Sequence, residues 1–254
     1  MNYPFFRNFA PENCMIISKE TYIIRYKDKI MDKKIKALFF DIDGTLVSFK
    51  THKIPQSTVD ALELAKKNGV EVYISTGRPQ MIITNLGQIE HLIDGYITTN
   101  GARCFVGDKV VSEEALLPSD VQKIVAAANR DGYPAVVVGE HRIAIHHFTQ
   151  EVFDVFAKGL GVDFDIFLKS VEELGDEPVL QVTPFCTEAQ EAALMPTLEH
   201  CTSGRWHPAF TDITAGGADK GKGLHAMAEY LGLNIDETMA FGDGGNDISI
   251  VREA

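Results

Sequence analysis

The chain has 254 residues, 45% hydrophobic and 24% charged, with 21 glycines and 10 prolines, a composition that suits a folded globular protein of one large or two modest domains. Its formal net charge of −12 repels nucleic acid and anionic membrane, which argues against non-specific binding to either and leaves room for a small anion held by local cations. Four scattered cysteines (Cys14, Cys104, Cys186, Cys201) form no C-x-x-C pair, and no apolar run approaches the ~18 residues that span a bilayer, so a reducing cytoplasm without membrane or zinc-knuckle chemistry is expected.

Residues 1–34 are rich in aromatics and lysine without periodicity, and MDKKIKALFFDIDGT opens at Met31 as a translation start before a first strand would. Residues 1–35 are therefore expected to be an extension, non-native or disordered. The apolar run Ala37 to Ile42, ending in Asp and Gly, predicts a strand buried on both faces. Pro55 and Ser57 open a helix with apolar residues at Val59, Leu62, Leu64 and Ala65 and a stop at Gly69. A second strand over Val70–Ile74 enters STGRPQ; a short helix near Met81–Leu86 and a third strand over Tyr96–Thr99 follow. This alternation implies parallel pairing with right-handed crossovers, hence a doubly wound, Rossmann-like α/β core.

The pattern changes after residue 101. Cys104–Val106 and Lys109–Val111 flank Gly107-Asp108, a hairpin signal. Pro118–Arg130 is an amphipathic helix, followed by strands near Ala135–Val138 and Arg142–His146 and a Phe-rich helix over Glu151–Lys158. A strand over Val179–Thr183 and a helix over Glu188–Leu194 complete an α+β module inserted into the core. Trp206, Phe210 and the Phe-rich helix are read as core. The α/β pattern resumes with a helix over Lys220–Tyr230 and a buried strand over Thr238–Phe241 that runs into GDGGND. The closing NDISIVREA reads as a helix cut short, so the core is expected to be truncated at its C-terminal end.

Four stretches carry candidate chemistry. DIDGT, Asp41 to Thr45, sits at the C-terminal end of the first strand, where ligands bind in open α/β sheets. Asp41 and Asp43 point to the same side; two such carboxylates call for a cation, a shared proton or plain solvation. GDGGND, Gly242 to Asp247, repeats the arrangement of buried strand, acids on a glycine-rich turn and helix. Alone it is also an ordinary turn and helix cap, but the two acidic loops together supply hard oxygen ligands suited to Mg²⁺. STGR, Ser75 to Arg78, joins a hydroxyl, a glycine permitting close backbone approach and a helix start, which describes an oxyanion pocket or a simple N-cap. GGADKGKGL, Gly216 to Leu224, imitates an ATP-binding loop through Gly216, Gly221 and Lys222, but Gly223 stands where the Mg²⁺-holding hydroxyl belongs. The eight histidines, His146-His147 among them, show no metal-binding spacing.

The order DIDGT, STGR, a lysine in DKGKGL and GDGGND closely resembles the haloacid dehalogenase superfamily of phosphotransferases. Within it the chain is similar to the Cof-type sugar-phosphate phosphatases, and TNGA, Thr99 to Ala102, adds to that likeness over residues 36 to 254. The resemblance implies Asp41 as the nucleophile that takes the phosphoryl group and Asp43 as the acid and base. It implies Mg²⁺ held by Asp41, the backbone carbonyl of Asp43 and Asp243, with Asp247 assisting through water. Thr76, Gly77 and Lys220 would bind the phosphoryl oxygens, Asn246 would orient the loop or touch phosphate, and Arg78 and Asn100 on the rim are candidates for substrate contact. The inserted module would be the family's large cap, over 114–204, closing on a core of 36–113 and 205–254. A small phosphorylated metabolite is the expected partner, and the chain is expected as a monomer or weak homo-oligomer. A phosphomutase sharing the intermediate, a catalytically weak phospho-metabolite-binding module, and an ATP-dependent enzyme using GGADKGK are the competing readings.

Overall fold

A computed structural model describes residues 35–254; the expectations for residues 1–35 fall, but for residue 35, outside this range, as does the one for the Trp206 side chain. The described chain builds two six-stranded sheets. The first begins with β1 (Ala37–Phe40), α1 (Gln56–Lys67), β2 (Glu71–Ser75) and β3 (Gly95–Thr98), and β1, β2 and β3 pair in parallel. The hairpin β4 (Arg103–Val106) and β5 (Lys109–Glu113) continues the same sheet with antiparallel pairing.

The chain then leaves for the second sheet. It passes through α2 (Pro118–Asp131), β6 (Ala135–Gly139), β7 (Ile143–His146), α3 (Gln150–Phe153), β8 (Phe167–Leu168), β9 (Val179–Pro184), α4 (Glu188–Leu194), β10 (Cys201–His207) and β11 (Phe210–Ala215). It returns with α5 (Lys220–Leu231), β12 (Thr238–Phe241) and α6 (Ile248–Glu253), and β12 joins the first sheet parallel to β1. We call the second module the cap.

Alternation along the central strands explains the layering. Phe40, Ile42, Val72 and Ile74 pack with Val59 and Leu62 of α1 on one face, while Ala37, Phe39, Tyr73 and Ile97 pack with Leu224, Met227 and Ile250 of α5 and α6 on the other. The cap sheet also has two faces. One is closed by α2 and α4 through Ile124, Ala128 and Leu194. The other presents Val136, Val138, Phe156, Phe185 and Phe210, and into this cluster goes Ile82, which belongs to the first module.

Several expectations need correction. The helix expected over Met81–Leu86 is a single 3₁₀ turn, Gln80–Ile82, with Ile83 already extended; the β-branched run Ile82-Ile83-Thr84 disfavours helix, and Ile82 is drawn into the cap cluster. The helix expected over Glu151–Lys158 is α-helical only to Phe153 and continues as a π-helical turn over Asp154–Gly159. Two strands between α4 and α5 went unrecognised: residue 204, the expected end of the cap, falls inside β10, and the second sheet runs on to Ala215.

One buried polar contact pins α2. Asp120, fully buried, accepts hydrogen bonds from the backbone N–H of Glu199 at 3.1 Å and of His200 at 3.3 Å, and from the Lys123 ammonium at 3.2 Å. Burial alone would raise its carboxyl; these donors, the backbone N–H groups foremost, hold it below the usual carboxylate range. Among the described residues no helix is long and apolar enough to cross a membrane.

Candidate active site

The end of β1 is where the site begins. The Asp41 N–H donates to the Phe241 carbonyl of β12 at 2.9 Å, and the chain then folds back so that the Gly44 N–H reaches the Val47 carbonyl at 2.9 Å. Gly44 adopts φ +91°, and a Cβ there would overlap the Asp243 carboxylate. Glycine is therefore required both by conformation and by the close approach of the second acidic loop. Thr45 donates from its hydroxyl to Asp243 Oδ1 at 3.3 Å, which ties the two loops together.

Lys220 opens α5 immediately after its cap residue Asp219, whose side chain accepts from the Lys222 N–H. Its ammonium is buried and donates to Asp41 Oδ1 at 2.7 Å and Asp247 Oδ1 at 2.6 Å. The other oxygen of Asp247 accepts from the backbone N–H of Asp243 at 3.1 Å and Gly244 at 2.9 Å. Asp247 thus shapes the GDGGND turn from inside. Lys222, by contrast, is exposed and reaches the Gly216 carbonyl at 3.3 Å, so the lysine that imitates an ATP loop stays outside the acidic cluster.

The electrostatics follow from crowding. Burial pushes the Asp41 carboxyl up to about 6, against the pull of Lys220 and with a further push from Asp247 and Asp43. Asp243 is raised in the same way, by burial and then by Asp247. Ligand oxygens of Asp41, Asp243 and Asp247 lie within 4.8 Å of one another. Three carboxylates around one ammonium leave an excess of negative charge, and all the donors are hard oxygens. That set fits a divalent cation such as Mg²⁺.

Asp43 has a different partner. The Arg78 guanidinium donates to both of its oxygens, Nε to Oδ2 at 2.6 Å and Nη2 to Oδ1 at 2.8 Å. Its Nη1 donates to the carbonyls of Ile82 at 3.0 Å and Leu160 at 3.3 Å, and Leu160 belongs to the cap. Arg78, expected on the rim, is buried and engaged with an acid and two carbonyls while also lining the cleft described below. Thr76 is buried too; its hydroxyl accepts from the Arg78 N–H at 3.1 Å, which forms the tight STGR turn. Asn100, at φ +54°, accepts from Asn246 Nδ2 at 3.0 Å, joining the TNGA turn to the GDGGND turn. Gly77 lies beneath Asn100, where a Cβ would stand 3.0 Å from Asn100 Oδ1.

These elements enclose a cleft of about 250 Å³, small beside the about 300–1,000 Å³ of pockets that take drug-sized ligands. Asp41, Asp43, Thr76, Gly77, Arg78, Asp243, Asn246 and Asp247 line it from the first module. Phe156, Leu160, Gln181, Thr183, Phe210 and Asp212 line it from the cap, and Phe49 stands exposed at its edge. The sequence reading missed these cap residues. A signal existed: Gln181 and Thr183 are polar at alternate positions of an otherwise apolar strand.

The comparisons agree with this geometry. Residues 38–254 match the family model described as haloacid dehalogenase-like hydrolase. A solved sugar phosphatase of haloacid dehalogenase subclass IIB, BT4131, is 47% identical, with 86% of this chain and 85% of that one covered and a TM-score of 0.81. The phosphatase BT1666 from Bacteroides thetaiotaomicron is 31% identical over 89% of this chain and 83% of its own, with a TM-score of 0.77. The putative phosphatase YkrA of Bacillus subtilis is 27% identical over 227 residues, which is 87% of this chain and 84% of that protein.

Proposed function

The chain belongs to the haloacid dehalogenase-like hydrolase family and is a phosphatase of that family's Cof type; from that premise we propose that it hydrolyses small sugar phosphates, with Mg²⁺, through an aspartyl phosphate on Asp41. The observation that carries the proposal is the buried Lys220 ammonium between Asp41 and Asp247 at the foot of a cleft roofed by the cap. A carboxylate nucleophile needs its charge and that of the phosphate screened, and a fixed ammonium does this without reorganisation.

In the proposed reaction an Asp41 oxygen forms a bond to phosphorus as the bond from phosphorus to the sugar oxygen breaks. Asp43, oriented by Arg78, must enter this step protonated, and it gives that proton to the departing alcohol. Asp43 then takes a proton from the water that attacks phosphorus, and inorganic phosphate leaves with Asp41 restored. Thr76, Gly77 and Lys220 hold the transferring oxygens, and Asn246 braces the loop through Asn100. Asp41, the Asp43 carbonyl and Asp243, with Asp247 behind, would hold Mg²⁺, which would supply neutralisation of the phosphoryl charge. The cap excludes bulk water. The relative BT4131 is a sugar phosphatase, which supports a sugar phosphate here, and a cytoplasmic, monomeric or weakly associating protein completes the proposal.

The test is phosphate release from sugar phosphates, nucleotides and an aryl phosphate, with and without Mg²⁺, beside Asp41→Asn. Release that requires the metal and disappears in the variant is expected. Release that persists in Asp41→Asn overturns the covalent route, and transfer to a second sugar position without release turns the reading to a mutase.

A further inference from the structure

We propose that Gln181 of the cap is a specificity-determining residue, whose side-chain oxygen accepts a hydrogen bond from a hydroxyl on the non-phosphate end of the substrate. The inference rests on the phosphatase reading above and names the chemistry of the leaving group: a neutral, hydroxyl-bearing alcohol.

Gln181 and Thr183 share one face of β9, two residues apart. The register that pairs Ile213 with Val182 and Thr214 with Gln181 brings Asp212 of β11 opposite Thr183. The three side chains are joined by hydrogen bonds in the cap wall of the cleft. Gln181 Nε2 donates to Asp212 Oδ1 at 3.0 Å and to Thr183 Oγ1 at 3.0 Å, and the Thr183 hydroxyl donates to Asp212 Oδ1 at 2.8 Å.

Directionality is what makes this set informative. An ionised carboxylate only accepts, so Asp212 fixes the amide with its NH₂ inward and its oxygen turned away. That oxygen, Gln181 Oε1, is buried and has no hydrogen-bond partner, on a residue only 4% exposed that lines the cleft. A buried acceptor left unmatched is costly, and a ligand donor removes the penalty. Phosphate dianions and carboxylates are themselves acceptors and are repelled at this position. A hydroxyl of a polyol is the donor that fits beside the apolar rings of Phe156 and Phe210, which also line the cleft.

The experiment measures kcat/KM for a hexose monophosphate and for p-nitrophenyl phosphate, whose leaving group has no additional hydroxyl, in the wild type, Gln181→Met and Asp212→Leu. Methionine keeps the volume and removes the acceptor; leucine, close to aspartate in size, removes the oxygen that holds the amide in its orientation. Each variant is expected to lower the ratio of hexose to aryl kcat/KM by about ten-fold, the worth of one hydrogen bond. Equal losses on both substrates, or an unchanged ratio, overturn the proposal. Calorimetric binding of the hexose monophosphate to Asp41→Asn, with and without Gln181→Met, reads the same contact without turnover. A weaker affinity in the double variant supports the contact even if the wild type releases no phosphate, whereas an unaltered affinity sinks it independently of the phosphatase reading.

Discussion

Arg78 and Asp43 are joined by two parallel hydrogen bonds, of 2.6 and 2.8 Å, across 35 residues of chain. The same guanidinium reaches the cap at the Leu160 carbonyl. A planar fork of this kind fixes both position and rotation of a carboxylate, which a lysine cannot do. Arg78→Lys should therefore misplace the proposed acid. The expected loss in kcat is about 10²-fold on sugar phosphates, within the range of general acid catalysis. It should be markedly smaller on p-nitrophenyl phosphate, whose leaving group departs without protonation. Steady-state kinetics on the two substrates checks this, and identical losses would refute a role through Asp43.

Lys220 sits buried between two carboxylates. Lys220→Met leaves Asp41 and Asp247 facing each other unpaired, and breaking a buried pair in this way costs about 3–5 kcal/mol. Urea unfolding of the variant should show a midpoint lowered accordingly. An unfolding free energy within about 1 kcal/mol of the wild type would mean that the acids find compensation elsewhere.

The acidic cluster should respond to a divalent cation before any substrate is present. Mg²⁺ is expected to raise the melting temperature of the wild type, since ligand at a hundredfold its Kd stabilises by about 2.7 kcal/mol. Asp243→Asn should abolish the rise, and Gly44→Ala should weaken it by driving a methyl group into the Asp243 carboxylate. Differential scanning fluorimetry across a Mg²⁺ titration decides it; an undiminished rise in Asp243→Asn would place the ion elsewhere.

Asp120 gives a prediction with a pH sign. Its folded carboxyl is held below the ordinary value, so its contribution to stability is complete above the ordinary carboxylate pKa and is lost as pH falls through the lower folded value. Asp120→Asn removes charge-assisted hydrogen bonds to Glu199 and His200 and should cost about 1.5–3 kcal/mol at neutral pH. The gap between wild type and variant should close on acidification below about pH 4. Urea midpoints measured from pH 6 down to pH 2 test this, and a gap that stays constant would assign the loss to packing.

Much of the first module was readable in the sequence because its signals are local. An apolar run ending in Asp-Ile-Asp-Gly describes a buried strand and its turn within one window, and β1 to β3 follow that logic. The partner of Arg78 was not readable, since nothing local to STGR tells whether a guanidinium meets a substrate or a carboxylate far along the chain. The strands β10 and β11 were missed for a related reason. Gly204 and Pro208 interrupt the stretch like loop residues, and its regularity appears only when β11 lies against β9. The Gln181, Thr183 and Asp212 set is legible only in that register.

Ile82 is carried by the first module yet lies among the valines and phenylalanines of the cap. Swinging the cap aside returns that side chain to water, at a cost of about 1.5–3 kcal/mol, so one side chain favours the shut arrangement by about ten- to a hundredfold. Were the cap to swing, arrival and departure would depend on a residue that takes no part in the proposed chemistry, and enlarging or trimming it would retune how often the cleft stands open.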